Sequence, residues 1–169
     1  LDAGDTNLSN NLWTAGSLYF EADGVSEMLK TDVNTFADVE LLTSGDLQID
    51  NTGGATYTSV TTADGAITIT DDATVTLTSI VSSTDDDAND ITVTATGDGS
   101  NIDVGTLTTG GTNGDIILTA NDAGSQSVLD ATSSITADVF TVTARDAIGA
   151  SGTPLETTVN SVDLSTTAN

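Results

Sequence analysis

A short strand-like motif recurs along the chain at nearly even spacing, and this repetition limits the available folds more than any other feature. Each copy starts with small turn residues, usually including Asp, and continues as aliphatic–x–aliphatic, as in GDLQIDN (45–51), GAITITD (65–71) and GDIILTA (114–120). The first aliphatic positions of the six copies are Leu18, Leu47, Ile67, Ile91, Ile116 and Val139. Their spacings run from 20 to 29 residues, about 24 on average. A period in this range indicates a repeat architecture.

The residues within each copy favour strands. Apolar and polar residues alternate over short runs that are rich in β-branched side chains and bounded by Gly, Asp or Asn, which is the pattern of half-buried strands. Threonine supplies 33 of the 169 residues, and it suits the outward face of a strand. One stretch, residues 25–30, has helix-like spacing and predicts one or two helical turns at most.

These observations predict an all-β fold, a parallel β-helix (β-solenoid) with coils of about 24 residues. Equivalent aliphatic residues, among them Leu47, Ile67, Ile91 and Ile116, should then form one continuous file in the interior. An Ig-like β-sandwich is the alternative, since it also uses short Thr-rich strands. A sandwich, however, gives no reason to repeat one motif at a fixed distance.

A longer self-similarity predicts how the segment is organised. LKTDVNTF (29–36) matches LETTVNSV (155–162) at an offset of 126 residues. We therefore interpret residues 1–169 as a single solenoid segment cut from a longer array. Residues 1–43 are expected to form atypical wide or capping coils, residues 44–144 regular coils, and residues 145–169 the start of the next super-repeat.

The charge excludes several classes of partner. The chain has 26 acidic residues against two basic ones, Lys30 and Arg145, giving a formal net charge of -24. Such a surface repels nucleic acid and anionic lipid, and no apolar window is long enough to predict membrane insertion. With neither Cys nor His, the chain lacks thiol nucleophiles and the commonest general base.

The acidic run at residues 85–90 contains the sharpest candidate site. Asp85, Asp87 and Asn89 alternate as oxygen ligands do in a calcium loop. Asp90 stands where such a loop requires Gly, and Thr96 where it requires a bidentate Glu. The alternative is a solvated corner loop whose charge opposes association. Calcium is thus the single cofactor that the sequence suggests, and no other is expected.

Catalysis is not the favoured interpretation. A pair of carboxylates can hydrolyse glycosides, but the chain has only six aromatic residues and two cations to form a sugar-binding groove. The Thr-x-Thr runs, such as Thr92–Thr94, resemble ice-binding rows, but their uneven spacing indicates ordinary outward strand residues.

The repeats resemble those of filamentous-haemagglutinin-like and other giant repetitive bacterial surface adhesins. The residues that carry the resemblance follow the pattern Ala-x-Asp-x-Ile-Gly, then Pro-Leu-x-Thr-x-Val, and they are Asp146, Ile148, Gly149, Pro154, Leu155, Thr157 and Val159. The resemblance implies a right-handed parallel β-helix that serves as a secreted shaft.

The expected function is therefore a non-enzymatic stalk segment of an extracellular, cell-surface protein, whose adhesive ligand the sequence does not identify. The alternative is a subunit of a homopolymeric filament that stacks end to end, because solenoid ends expose unpaired strand edges. A calcium-binding module and a polysaccharide-acting enzyme are weaker alternatives.

Overall fold

The computed structural model describes residues 13–24 and 26–167, in which the chain forms strands, turns and bends without any helix. None of these residues therefore belongs to a helix that could cross a membrane. The strands are β1 (Trp13–Ala15), β2 (Leu18–Ala22), β3 (Glu27–Val33), β4 (Thr35–Ser44), β5 (Leu47–Asn51), β6 (Ala55–Tyr57), β7 (Val60–Asp64), β8 (Ile67–Asp71), β9 (Val75–Ser82), β10 (Ile91–Ala95), β11 (Ile102–Thr108), β12 (Ile116–Ala120), β13 (Val128–Ala144) and β14 (Thr157–Thr166).

The fold is a β-solenoid, as the repeat predicts. All strand pairs are parallel, and each strand pairs with the equivalent strand of the next coil. The described chain makes about seven coils of about 22 residues each, slightly fewer than the predicted 24. At the usual strand spacing this gives a rod roughly 30 Å long. The sandwich alternative is wrong, whereas the right-handed sense of winding stays a prediction.

Each coil has three faces. Face A comprises β1, β3, β5, β8, β10, β12 and the C-terminal parts of β13 and β14. Along the chain, face A is followed by face B and then, after a bend, by face C. On one coil faces B and C are the separate strands β6 and β7, and on the next coil they are the first and last parts of β9. At this bend in β11, a side chain on Gly105 would collide with the carbonyl oxygens of Leu77 and Thr78.

The predicted interior file on face A is confirmed. Leu47, Ile67, Ile91 and Ile116 lie in register on successive coils and are almost completely buried. Parallel files of aliphatic residues line the other faces, and the rings of Phe36 and Tyr57 stack on face B with centroids 4.5 Å apart. Burial of these files supplies most of the stabilisation, at about 25 cal/mol for each Å² of apolar surface.

Two members of the predicted file are wrong. Phe140, not Val139, pairs with Ile116. Val139 lies within β13 at the corner before face A, where its N–H donates to Asp115 Oδ1 at 3.0 Å. Leu18 lies on face B, because β2 pairs with β4 and Leu18 is opposite Phe36.

The helix-like stretch is also corrected, since Glu27–Lys30 belongs to strand β3 and Val25 lies outside the described residues. Leu29 is buried opposite Ile49 of β5, and buried and exposed residues alternate along this stretch as they do in a strand. Six residues are too few for helical nucleation to compete with pairing to a preformed strand.

The Asp of the repeated motif has a structural role at the corner before face A. Asp46 Oδ1 accepts the N–H of Ala66 at 3.0 Å, and Asp90 Oδ1 accepts the N–H of Asp115 at 2.9 Å. In each case the carboxylate serves a residue one coil later. Corner N–H groups would otherwise lack a protein partner, so the Asp satisfies them.

Candidate functional site

The acidic corner at residues 85–90 joins two coils through Asp85. Its Oδ1 accepts the backbone N–H of Asn113 at 2.8 Å, with longer contacts from Thr112 and Gly114. These hydrogen bonds, led by the one from Asn113, lower the pKa of the Asp85 carboxyl. The corner loop of one coil therefore holds the corner loop of the next.

The three predicted calcium ligands have different surroundings. Asn89 is 5 % exposed, and its Nδ2 donates to Asp64 Oδ1 at 2.8 Å and to the carbonyl of Thr84 at 3.2 Å. Asp87 is exposed to solvent, while Asp85 faces residues 112–114. Across residues 13–24 and 26–167, no three His, Cys, Asp or Glu side chains form a group that could hold a metal ion. Calcium at this corner stays a prediction, and the structure gives Asp85 and Asn89 hydrogen-bonding roles that need no ion.

Outward threonines on face A form regular rows. Seven of the eight outward positions on the last four regular strands are Thr, and these are Thr68, Thr70, Thr92, Thr94, Thr119, Thr141 and Thr143, with Ile117 the eighth. The strands stay in register because the corner loops absorb the unequal coil lengths. The unequal coil lengths therefore do not move these Thr residues out of register. The result is an uncharged strip bordered by charged corners.

The last described coil leaves apolar side chains uncovered. Val162 and Leu164 continue the interior files of Phe140 and Val142 but are 48 % and 52 % exposed. They border a cleft of about 440 Å³ that is also lined by Ile148, Pro154 and Leu155. The edge of β14 that pairs with no other described strand and this cleft form one largely apolar surface, which we call the C-terminal face.

A buried polar file interrupts the apolar interior, and sequence reasoning missed it. Thr31, Asn51 and Asp71 are inward-facing residues of β3, β5 and β8, stacked in register on three successive coils. The next coils have Ala95, Ala120 and Ala144 in this position. The sequence shows this file at the ends of the motif copies. The earlier strands end in TDV (31–33), DN (50–51) and TD (70–71), whereas the later ones end in TA.

Asp71 is the most connected member of the polar file. Its Oδ2 accepts Asn51 Nδ2–H at 2.9 Å and the Tyr57 hydroxyl at 3.0 Å, while its Oδ1 accepts the N–H of Gly54 at 2.9 Å and of Ala73 at 3.2 Å. Burial raises the pKa of the Asp71 carboxyl, and the hydrogen bonds from Asn51 and Tyr57 oppose that rise. Burial, followed by the nearby Asp71 charge, also raises the pKa of the Tyr57 hydroxyl.

Comparison with models of protein families, with curated proteins and with solved structures gave no match.

Proposed function

We propose that this chain is a non-enzymatic structural segment, a shaft that spaces or displays other parts of an extracellular, cell-surface protein. The observation that supports the proposal is the unbroken series of in-register files along faces A, B and C. A rod stabilised by contacts between neighbouring coils resists bending, and its length depends on the number of coils.

The distribution of charge supports the same role. In the middle coils the carboxylates lie mainly at corners, where Asp46, Asp90 and Asp115 accept N–H groups from the following coil. A surface with this much negative charge opposes lateral association of rods. The acidic residues therefore have structural and colloidal uses that require no substrate.

Deletion of one complete coil tests the proposal. Removal of residues 91–115 brings Ile116 opposite Ile67, so the chain should fold into a rod shorter by about 4.8 Å. Removal of residues 91–102, a partial coil, is the matched control and should unfold the chain, because it moves face B strands onto face A. Small-angle scattering and circular dichroism measure both results. Equal loss of structure in both deletions would contradict the modular rod.

Turnover of glycans separates the shaft from the enzyme alternative. The wild-type chain and the double variant D85A/D87A should both leave acidic and neutral polysaccharides intact. Product formed by the wild type but not by the variant would contradict the shaft proposal.

A second candidate function is a filament subunit, because the uncovered coil of a solenoid can pair with the coil of another copy. Burial of the exposed Val162 and Leu164 side chains against another copy of the chain would extend the interior files. Light scattering and electron microscopy at rising concentration should then show rods longer than one chain, and V162D/L164D should return them to single length. The control I117D adds the same charge to the side of the rod. Short particles at every concentration would count against the filament.

A further inference from the structure

The buried polar file places a hydroxyl, an amide and a carboxyl in line on three successive coils. Thr31, Asn51 and Asp71 are 0 %, 1 % and 0 % exposed. Each member of the file is within hydrogen-bond distance of the next, at 2.8 Å and 2.9 Å. A nucleophile, a carboxamide and an acid are therefore aligned in an interior from which water is excluded.

The carbonyl side of the Asn51 amide is polarised by the backbone N–H of Val33 and faces the Thr31 hydroxyl. Asn51 Oδ1 accepts the backbone N–H of Val33 at 2.9 Å and the Thr31 hydroxyl at 2.8 Å. Fixed donors on a carbonyl oxygen stabilise the negative charge that develops when a nucleophile attacks the carbon. The Val33 N–H also fixes which end of the amide faces Thr31.

The nitrogen side of the same amide faces an acid. Asn51 Nδ2 is 2.9 Å from Asp71 Oδ2, and the Tyr57 hydroxyl lies 3.0 Å from that oxygen. Burial raises the pKa of the Asp71 carboxyl, so this carboxyl takes up a proton more readily than an exposed Asp does. A protonated carboxyl beside an amide nitrogen can donate the proton that a departing ammonia requires.

We propose that Thr31 and Asn51 condense to form an ester cross-link between adjacent coils, with release of ammonia. Thr31 Oγ1 forms a bond to Asn51 Cγ, and the hydroxyl proton passes to Oδ1. Asp71 then protonates Nδ2, the Cγ–Nδ2 bond breaks, and ammonia leaves. The Oδ1 proton returns to Asp71 as the carbonyl forms again, so no oxidant or other reactant is consumed.

Proximity accelerates this otherwise slow reaction. Thr is a weak nucleophile in water, but fixed neighbours react with effective molarities of about 10⁵–10⁸ M. Burial of the product also protects the ester from hydrolysis. The cross-link does not rest on the proposed shaft function, although it would tie β3 covalently to β5.

Intact mass of the purified chain tests the cross-link. We expect a mass lower than that of the sequence by about 17 Da, the mass of ammonia lost in the substitution. Cleavage on the N-terminal side of Asp residues should yield fragments 23–31 and 50–63 joined to each other, and hydroxylamine should separate them. An unchanged mass after prolonged incubation of the folded chain would overturn the proposal.

Variants separate this ester from other losses of ammonia. T31V removes the nucleophile and should restore the full mass, whereas T31S keeps a hydroxyl and should retain the loss. T52V removes the neighbouring hydroxyl, which lies outside the amide pocket, and should also retain the loss. A T31V chain that still loses ammonia to the same extent would indicate a succinimide, for example at Asn113–Gly114, and would overturn the ester.

D71N should slow the reaction without changing its product, because Asp71 acts as the acid. Circular dichroism shows whether each variant keeps its strands. If a variant unfolds, the linked fragments of the wild-type chain decide the question alone.

Discussion

The adjacent residues Ile116 and Ile117 provide a direct test of how the coils stack. Both belong to β12, but Ile116 is completely buried between Ile91 and Phe140, while Ile117 faces outward in the Thr rows. The substitutions I116A and I117A remove the same three carbon atoms from neighbouring positions. Any difference between them therefore reports the environment of the side chain.

The structure gives the size of the expected difference. Removal of three buried carbons costs about 2.4 kcal/mol in transfer free energy, at about 0.8 kcal/mol for each. The cavity left between Ile91 and Phe140 brings the usual range for such substitutions to about 2–5 kcal/mol. At Ile117 only part of the side chain is covered, so we expect a loss below about 1 kcal/mol.

Urea unfolding followed by circular dichroism measures both losses. The dependence of the unfolding free energy on urea should stay the same in the two variants, since both expose the same surface on unfolding. Equal losses for I116A and I117A, or a larger loss for I117A, would refute the assignment of inward and outward positions.

Four further predictions concern charge, ions and the bend. The net charge of -24 makes carboxylates repel one another, so the melting temperature should rise with NaCl concentration, and a flat profile between dilute buffer and high salt would contradict this. Burial raises the pKa of Asp103. Its contribution to stability is therefore full below the ordinary Asp pKa, about 4, and is lost as pH rises through the folded-state value. D103N should accordingly melt at a higher temperature than the wild type near neutral pH but not in acid, and a gain of equal size at both pH values would contradict the burial effect. If calcium binds at Asp85, Asp87 and Asn89, the melting temperature should rise more with calcium than with magnesium, and D87A should remove the difference. Equal effects of both ions would contradict a calcium site at this corner. G105A should destabilise the chain by more than about 1 kcal/mol, because its side chain meets the carbonyl oxygens of Leu77 and Thr78. G16A, where no atom lies near the added carbon and φ is not positive, should have less effect. Equal melting temperatures of G105A and the wild type would contradict the close approach.

The stacking of the coils was predictable because one physical rule repeats in the sequence. Alternation assigns Leu47, Ile67, Ile91 and Ile116 to the interior, and their spacing places them on one file. The rule is wrong at Val139, where the interval between Asp and the first inward residue is one residue longer than in the other copies. It is wrong at Leu18 because strand alternation does not show which of three faces a short run belongs to.

The candidate sites were less predictable, since their chemistry depends on contacts across coils. Asp85 was identified from its acidic neighbours, but its carboxylate contacts residues 112–114, more than 25 positions later. The polar file was missed because Thr31, Asn51 and Asp71 look like the turn residues that end each motif. Only the register of β3, β5 and β8 shows that these side chains point inward and meet.

The hydrogen bonds at the corner before face A all point in one direction along the rod. Asp46, Asp90 and Asp115 each accept an N–H from the coil that follows, never from the one that precedes. A folded coil thus presents carboxylate oxygens, already oriented as acceptors, to the segment that forms the next coil. At this corner, a chain that winds from its amino-terminal side meets an acceptor already in place, whereas a chain that winds in reverse leaves the donor N–H groups without Asp46, Asp90 and Asp115 until the preceding coil is in place.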